Sequence, residues 1–278
     1  MARQERAERT REVVVRAAAV CFDTAGFAAT SLSDVVATAA VSKGALYFHF
    51  ASKEKLAEAV AAQSAAGWRE VLRAVGMPGA PGAGPDAPAP PVMQGLIDIT
   101  HALARRVQQD VVFRAGLRLC EEYLPGARGA RPDPYPSWRR CVSLRLARAG
   151  RRGELRPGVD LADAARVLSA ATAGVEKLSR RDAAWLSPSM IAGVWRALLP
   201  ALVPAADLER LRPSGLTPLP GPRHTPPGPG SAAPAPPGGS AVGTDLLTGA
   251  PFPAETSDAA AALAAAVATA VGGGTLPH

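Results

Sequence analysis

Cysteine is scarce, with only Cys21, Cys120 and Cys141 in 278 residues. They are widely separated and fit neither a disulfide framework nor a thiolate metal site, so buried free thiols on helical faces are expected. Histidine is almost as rare, and neither His101 nor His224 has a recognisable catalytic partner by spacing. No glycine-rich phosphate loop, paired His/Cys ligand set or serine elbow is present. The chain is therefore not expected to be an enzyme, and neither a cofactor nor a bound metal is expected. There is no uninterrupted run of about eighteen apolar residues, which argues against a membrane span. The N-terminus, MARQERAERTREVVVRAAA, lacks a cleavage pattern after an apolar core, so a cytoplasmic location is expected. Lysine is short too: of 31 basic residues only Lys43, Lys53, Lys55 and Lys177 are lysines.

Three of those four lysines fall close together, in and just after VSKGALYFHF, Val41 to Phe50. Upstream, Leu32, Val35, Val36 and Ala39 share one helical face, with Ser31 or Ser33 as N-cap and Asp34 at the positive end of the dipole. A tight break follows at Ala40-Val41, and Ser42 caps a second short helix. Two short helices joined by so tight a turn make a helix-turn-helix, whose second helix is shaped for a DNA major groove. Leu46 and Phe50, four apart, face inward. Lys43, Gly44, Ala45, Tyr47 and His49 are left outside: a charge, two small residues that permit close approach to base edges, and two donors for phosphate oxygens. The net charge of +7 suits a polyanionic partner.

The rest reads as all-α. A helix over about 8–25 stops at Gly26, preceded by a basic stretch with Arg3, Arg6 and Arg9. That stretch is either a solvated terminus or an arm for phosphates and an adjacent minor groove. Phe22, Phe27 and Phe50 supply a small core beneath the helix-turn-helix. A longer helix capped by Ser52 runs to about Gly76, with Leu56, Val60, Ser64, Trp68 and Leu72 on one face. Lys53 and Lys55 at its start are placed for phosphate contact. Residues 77–91 and 124–137 are Pro/Gly-rich loops around helices that break near Asp110. Further helices follow from Trp138, from Leu161 behind an Asp160 cap to Trp185, from Pro188 to Leu199, and briefly over 207–212. Domains are expected at 1–51 (DNA-binding), 52–212 (helical) and 213–278, a Pro/Gly/Ala-rich tail expected to be mostly disordered.

The string DVVATAAVSKGALYFHFASKEKL, Asp34 to Leu56, resembles the DNA-binding domain of TetR-type regulators. KGALYFHF followed by SKE is most similar to their γ-butyrolactone receptor branch in actinomycetes. The resemblance implies a helical second domain for ligand binding and dimerisation. It also implies a homodimeric repressor on near-palindromic double-stranded operator DNA, released by a γ-butyrolactone and controlling secondary metabolism. A pseudo-receptor of the same fold answering an antibiotic or biosynthetic intermediate is an alternative, as is a small-molecule binder with vestigial DNA binding. By the same resemblance Thr30, Ser42, Lys43, Gly44, Ala45, Tyr47, His49 and Lys53 fall at DNA-contacting positions. Where this chain has Ala40 the family usually has glycine, and a left-handed alanine there costs about 1 kcal/mol. Trp138, in DPYPSWRRC, matches a tryptophan of the lactone pocket; by its residue type alone it serves equally as a core tryptophan. Trp185 and Trp195, in the last two helices, are expected at a dimer interface.

Overall fold

The computed structural model describes residues 2–74, 90–122 and 134–216. Among these the elements are helices α1 (Ala2–Ala29), α2 (Leu32–Ala39), α3 (Lys43–His49), α4 (Lys53–Ala74), α5 (Val92–Gln109), α6 (Val111–Glu122), α7 (Pro134–Arg151), α8 (Leu161–Ser179), α9 (Pro188–Leu202) and α10 (Ala205–Leu208), with a 3-10 turn at Ala183–Leu186. The architecture is all-α, as expected. The expected Pro/Gly loops over 77–91 and 124–137 and the Ala-rich run near the C-terminus lie wholly or mostly outside the described residues.

The expected capping chemistry is in place. Ser31 Oγ accepts from the Asp34 N–H while the Asp34 carboxylate accepts from the Ser31 N–H, a reciprocal capping box. The Ser31 N–H first, and then the Ser31 hydroxyl, which donates to the same carboxylate at 2.7 Å, hold the Asp34 carboxyl below its ordinary range. Ser42 caps α3 through the Ala45 N–H, Ser52 accepts from the Lys55 N–H, and Asp160 caps α8. Asp110 separates α5 from α6 and caps the latter through the N–H groups of Val112 and Phe113.

Several boundaries move. Residues 2–9 belong to α1, so the basic stretch is helical rather than an extended arm. Helix α1 is broken at Gly26 as expected, where the backbone is non-helical (φ 84°, ψ 169°), and a further helical stretch continues beyond it to Ala29. Helix α8 stops at Ser179, short of Trp185, and α9 runs through Pro200 to Leu202. Pro200 stands in the last turn of α9 and supplies no N–H to the carbonyl four residues back. None of the three cysteines is in a disulfide, and all three are half-buried rather than buried.

Two apolar cores organise the chain. The head core gathers Val14, Ala18 and Phe22 of α1, Val35 of α2, Leu46 of α3 and Phe50, and continues into Leu56 and Val60 of α4. The body core is built from α5 to α9, with Leu96, Ile97, Ile99, Val142, Leu146 and Trp195 at its centre. The head therefore packs past residue 51, well into α4. Helix α6 divides its faces: Val112, Ala115 and Leu119 enter the head core, whereas Phe113 and Leu117 enter the body core. The expected tail also begins later than 213. His101 Nε2 donates to the Pro213 carbonyl at 2.8 Å, and the Leu216 N–H donates to Asp98 at 2.9 Å, which fasten 213–216 to α5.

Candidate nucleic-acid interface and body cavity

The helix-turn-helix is built around one strained residue. Ala40 caps α2 at φ 51°, ψ 40°, the one positive-φ non-glycine among the described residues. A left-handed turn here swings the chain so that α3 starts at Ser42 and lies across the head core. Leu46 (0 % exposed) and Phe50 anchor it from beneath. Lys43, Gly44 and Tyr47 are exposed, Ala45 and His49 half-buried, and Ser42 exposed at the cap. A Cβ on Gly44 would meet only Ser42 Oγ, at 4.0 Å, so the space above it is open. His49 lies in the last turn of α3.

Phe48 is 78 % exposed on the same surface and was not among the expected contacts. Its signal was nonetheless in the sequence: two residues beyond inward-facing Leu46 is a rotation of about 200° on a helix. Its ring meets the His49 ring edge-on at 5.0 Å. An exposed phenylalanine in a polar surface has no packing reason to be there.

Two expected DNA-contacting residues have other partners. Thr30 is 2 % exposed, and its hydroxyl lies 2.7 Å from the Gly26 carbonyl and 3.2 Å from that of Cys21. Lys53 reaches back across the head, where Nζ donates to the carbonyls of Phe27 at 2.8 Å and Thr30 at 2.9 Å and sits 4.4 Å over the Phe27 ring. Its charge closes the end of α1 onto α4. Both side chains tie elements of the head together.

Within the body, Trp68 of α4, Leu117 of α6, Trp138 of α7 and Leu168 and Val175 of α8 wall an apolar cavity of about 60 Å³. Trp68 stacks on Phe113 of α6 with centroids 6.0 Å apart and meets Trp138 edge-to-face at 6.2 Å. Trp138 is 2 % exposed. Trp195 is not at an outer face as expected: it is buried in the same wall and donates through Nε1 to Thr100 at 2.7 Å. Trp185 is half-buried against the body core. A polar edge adjoins this space. The Tyr135 phenol lies 3.0 Å from a Glu121 oxygen and 3.1 Å from a Glu176 oxygen, and Arg180 pairs with both carboxylates. Burial first, and then the two carboxylate charges, push the Tyr135 hydroxyl far above its ordinary pKa.

The cavity and the head are joined through α6. Gly116 lies so close to α4 that a Cβ there would fall 2.1 Å from the Ser64 Cβ, and Ser64 donates to the Phe113 carbonyl at 3.0 Å. At the other face, Arg114 pairs with Asp23 of α1 at 2.8 Å, and the Glu122 carboxylate accepts from the Phe27 N–H at 3.0 Å, next to the Gly26 kink. Burial raises the Glu122 pKa, but the hydrogen bonds from Arg118 and from the Phe27 N–H, with the nearby arginine charges, outweigh it and hold it below the ordinary glutamate range. Among the described residues no group of His, Cys, Asp and Glu side chains could hold a metal, and no helix is long and apolar enough to cross a membrane.

A helix-turn-helix head on a helical body with an internal cavity is the architecture of a transcriptional regulator. Residues 14–60 match the family described as bacterial regulatory proteins, tetR family, and residues 91–204 match its tetracyclin repressor-like C-terminal domain. The A-factor receptor protein of Streptomyces griseus is 30 % identical over 218 residues, covering 77 % of this chain and 71 % of that protein. The chain belongs to the TetR family and is related to its γ-butyrolactone receptors. A solved γ-butyrolactone receptor (ArpA-like protein) is 31 % identical with a TM-score of 0.62, over 75 % of this chain and 96 % of that one. CprB of Streptomyces coelicolor, solved in complex with its biological operator sequence, is 32 % identical with a TM-score of 0.60, over 74 % of this chain and 94 % of that one.

Proposed function

We propose that this regulator is a repressor that binds a near-palindromic operator as a homodimer and leaves it when a γ-butyrolactone-type signal enters the body cavity, so controlling secondary metabolism. The observation that carries the reading is physical continuity. Trp68 walls the cavity on α4, the helix whose first turns complete the head core, and Leu117 walls it on α6, whose other face also enters that core. A molecule that displaces either helix must displace the seat of α3. Release then requires only that the effector bind better to the displaced arrangement than to the DNA-bound one.

On the DNA side, Lys43, Gly44, Ala45, Tyr47 and His49 are the contacts, with the Ser42 hydroxyl at the helix start and Phe48 as an added apolar one against sugar or a thymine methyl. Thr30 and Lys53 act indirectly, by holding the end of α1 against α4. On the effector side, Trp138 covers the apolar part of the signal. Kinship with the A-factor receptor favours a lactone over an antibiotic or biosynthetic intermediate as that signal.

The test is a gel-shift on a duplex from the protein's own upstream region, with and without an acyl-γ-butyrolactone. Retarded DNA that is released by the lactone is the expected result. No retardation points instead to a small-molecule binder with vestigial DNA binding, and retardation that only an antibiotic or biosynthetic intermediate relieves points to a pseudo-receptor. Tyr47→Ala should weaken the shift at least several-fold; unchanged affinity would remove α3 from the interface.

A further inference from the structure

Helix α7 carries Arg139, Arg140, Arg145, Arg148 and Arg151 and no acidic residue. Its inner face, Trp138, Val142, Leu146 and Ala149, is buried in the body core. Arg140, Leu144 and Arg151 stand opposite at helical spacing with Arg148 beside them, an outward strip about 16 Å long. All four are exposed, Leu144 to 61 %. Among the described residues no carboxylate pairs with Arg140, Arg148 or Arg151, whereas exposed Arg166 and Arg210 each have an aspartate three residues away. A leucine set among unpaired arginines suits an acidic partner that also brings apolar side chains. Phosphate has no use for Leu144, and a membrane would need the apolar face that α7 turns inward. The chain itself contains a segment of the right chemistry. After Arg223 there is no lysine or arginine, and the three acids, Asp245, Glu255 and Asp258, bracket Leu246, Leu247 and Phe252. The described chain also ends beside α7. Its Leu216 N–H is fastened to Asp98 on α5, and Gly95, one turn earlier, lies so close to α7 that a Cβ there would fall 2.9 Å from Arg145 Nη1.

We infer that residues 245–258, DLLTGAPFPAETSD, dock on the outer strip of α7 in the same chain, with their carboxylates against Arg140, Arg148 and Arg151 and an apolar side chain over Leu144. Residues 217–244 have only to cross from α5 to α7, and a chain of that length spans about 30 Å on average. Tethering at such a distance gives an effective concentration of millimolar order, so contacts of millimolar strength keep the segment in place. The consequence lies in what is kept away. Uncovered, the arginines add sequence-independent attraction for polyanions to a body whose operator-reading helix is elsewhere. Covered, they leave α3 as the surface that nucleic acid meets. The acidic segment is thus an internal shield for the body.

The experiment uses the full chain carrying Arg148→Lys and Arg151→Lys, which keep the charge and add amines that a carbodiimide joins to a neighbouring carboxylate. Mass spectrometry of the single-chain band from a denaturing gel should find position 148 or 151 joined to Asp245, Glu255 or Asp258. These links should exceed any from the same acids to Lys43 or Lys177, and the excess should vanish in high salt. No excess overturns the docking. Links found only in a double-length band assign the strip to a second copy and overturn it equally. A second measurement reads the shield by affinity for a duplex of scrambled sequence. Arg140→Gln, Arg148→Gln and Arg151→Gln together should change that affinity little in the wild-type chain. In a chain already carrying Asp245→Asn, Glu255→Gln and Asp258→Asn they should lower it severalfold. Because the same three charges are removed in both backgrounds, net charge alone predicts equal effects, and equal effects would contradict the shield.

Discussion

At the scale of single residues, the head depends on side chains whose roles differ from their types. Ala40 holds a left-handed backbone that glycine adopts without strain, so Ala40→Gly should stabilise the head by about 1 kcal/mol. Thermal unfolding should show a rise of a few degrees. Lys53 and Lys43 look alike in sequence, two lysines beside a recognition helix, yet they should respond oppositely. Lys53→Met removes an ammonium that serves the carbonyls of Phe27 and Thr30, and should lower stability by about 1–2 kcal/mol. Lys43→Met should leave the melting curve in place and reduce the salt dependence of operator binding by about one counterion. Such differences were beyond the sequence because they depend on which way a long side chain turns. The caps at Ser31, Ser42 and Asp160 were legible, since a cap acts within three residues of itself. Phe48 was missed, although its rotation relative to Leu46 places it outward.

At the scale of elements, α6 is the piece that sequence periodicity described least well. Val112, Phe113, Leu117, Leu119 and Cys120 form a helical pattern in the sequence, but the division of the helix between two cores, with Ala115 in the head core, is a tertiary fact. The contact of Gly116 with Ser64 was invisible for the same reason: a glycine in a helix reads as a weakness until the neighbouring helix is seen against it. Gly116→Val should therefore force α4 and α6 apart and destabilise the protein by about 1–3 kcal/mol, measured by denaturant unfolding. The Glu122 bond to α1 carries a pH signature. A carboxyl whose folded pKa is depressed adds stability above its unfolded pKa, near 4.3, and loses it as pH falls through the folded value. The stability gap between wild type and Glu122→Gln should be full at pH 6–8 and close progressively below about pH 4.3. A gap independent of pH would remove the charge from the clasp. Helix α8 ends short of Trp185 where a local cap, Asp182, opens the 3-10 turn Ala183–Leu186, whereas residue 213 is held by a long-range partner. The Pro213 carbonyl is held by His101, a residue 112 positions away in the chain.

At the scale of the whole molecule, the two cores share helices rather than meeting across a linker. Helix α4 begins in the head and carries Trp68 to the cavity, and α6 returns from the cavity to Asp23 and Phe27 of α1. The helix-turn-helix was readable because its chemistry is packed into a short stretch of chain. The cavity was not, because its wall draws on α4 to α9 and only Trp138 was marked by resemblance. With the head and the cavity bound to the same two helices, the proposed switch requires that occupancy of one change the free energy of the other. The coupling must also be reciprocal. The decisive measurement is the affinity of an acyl-γ-butyrolactone for the full chain, alone and saturated with its operator duplex. The predicted result is weaker lactone binding in the presence of DNA, by the same factor by which lactone weakens DNA binding. Equal lactone affinity with and without DNA would mean that cavity and head are uncoupled, and would contradict the switch.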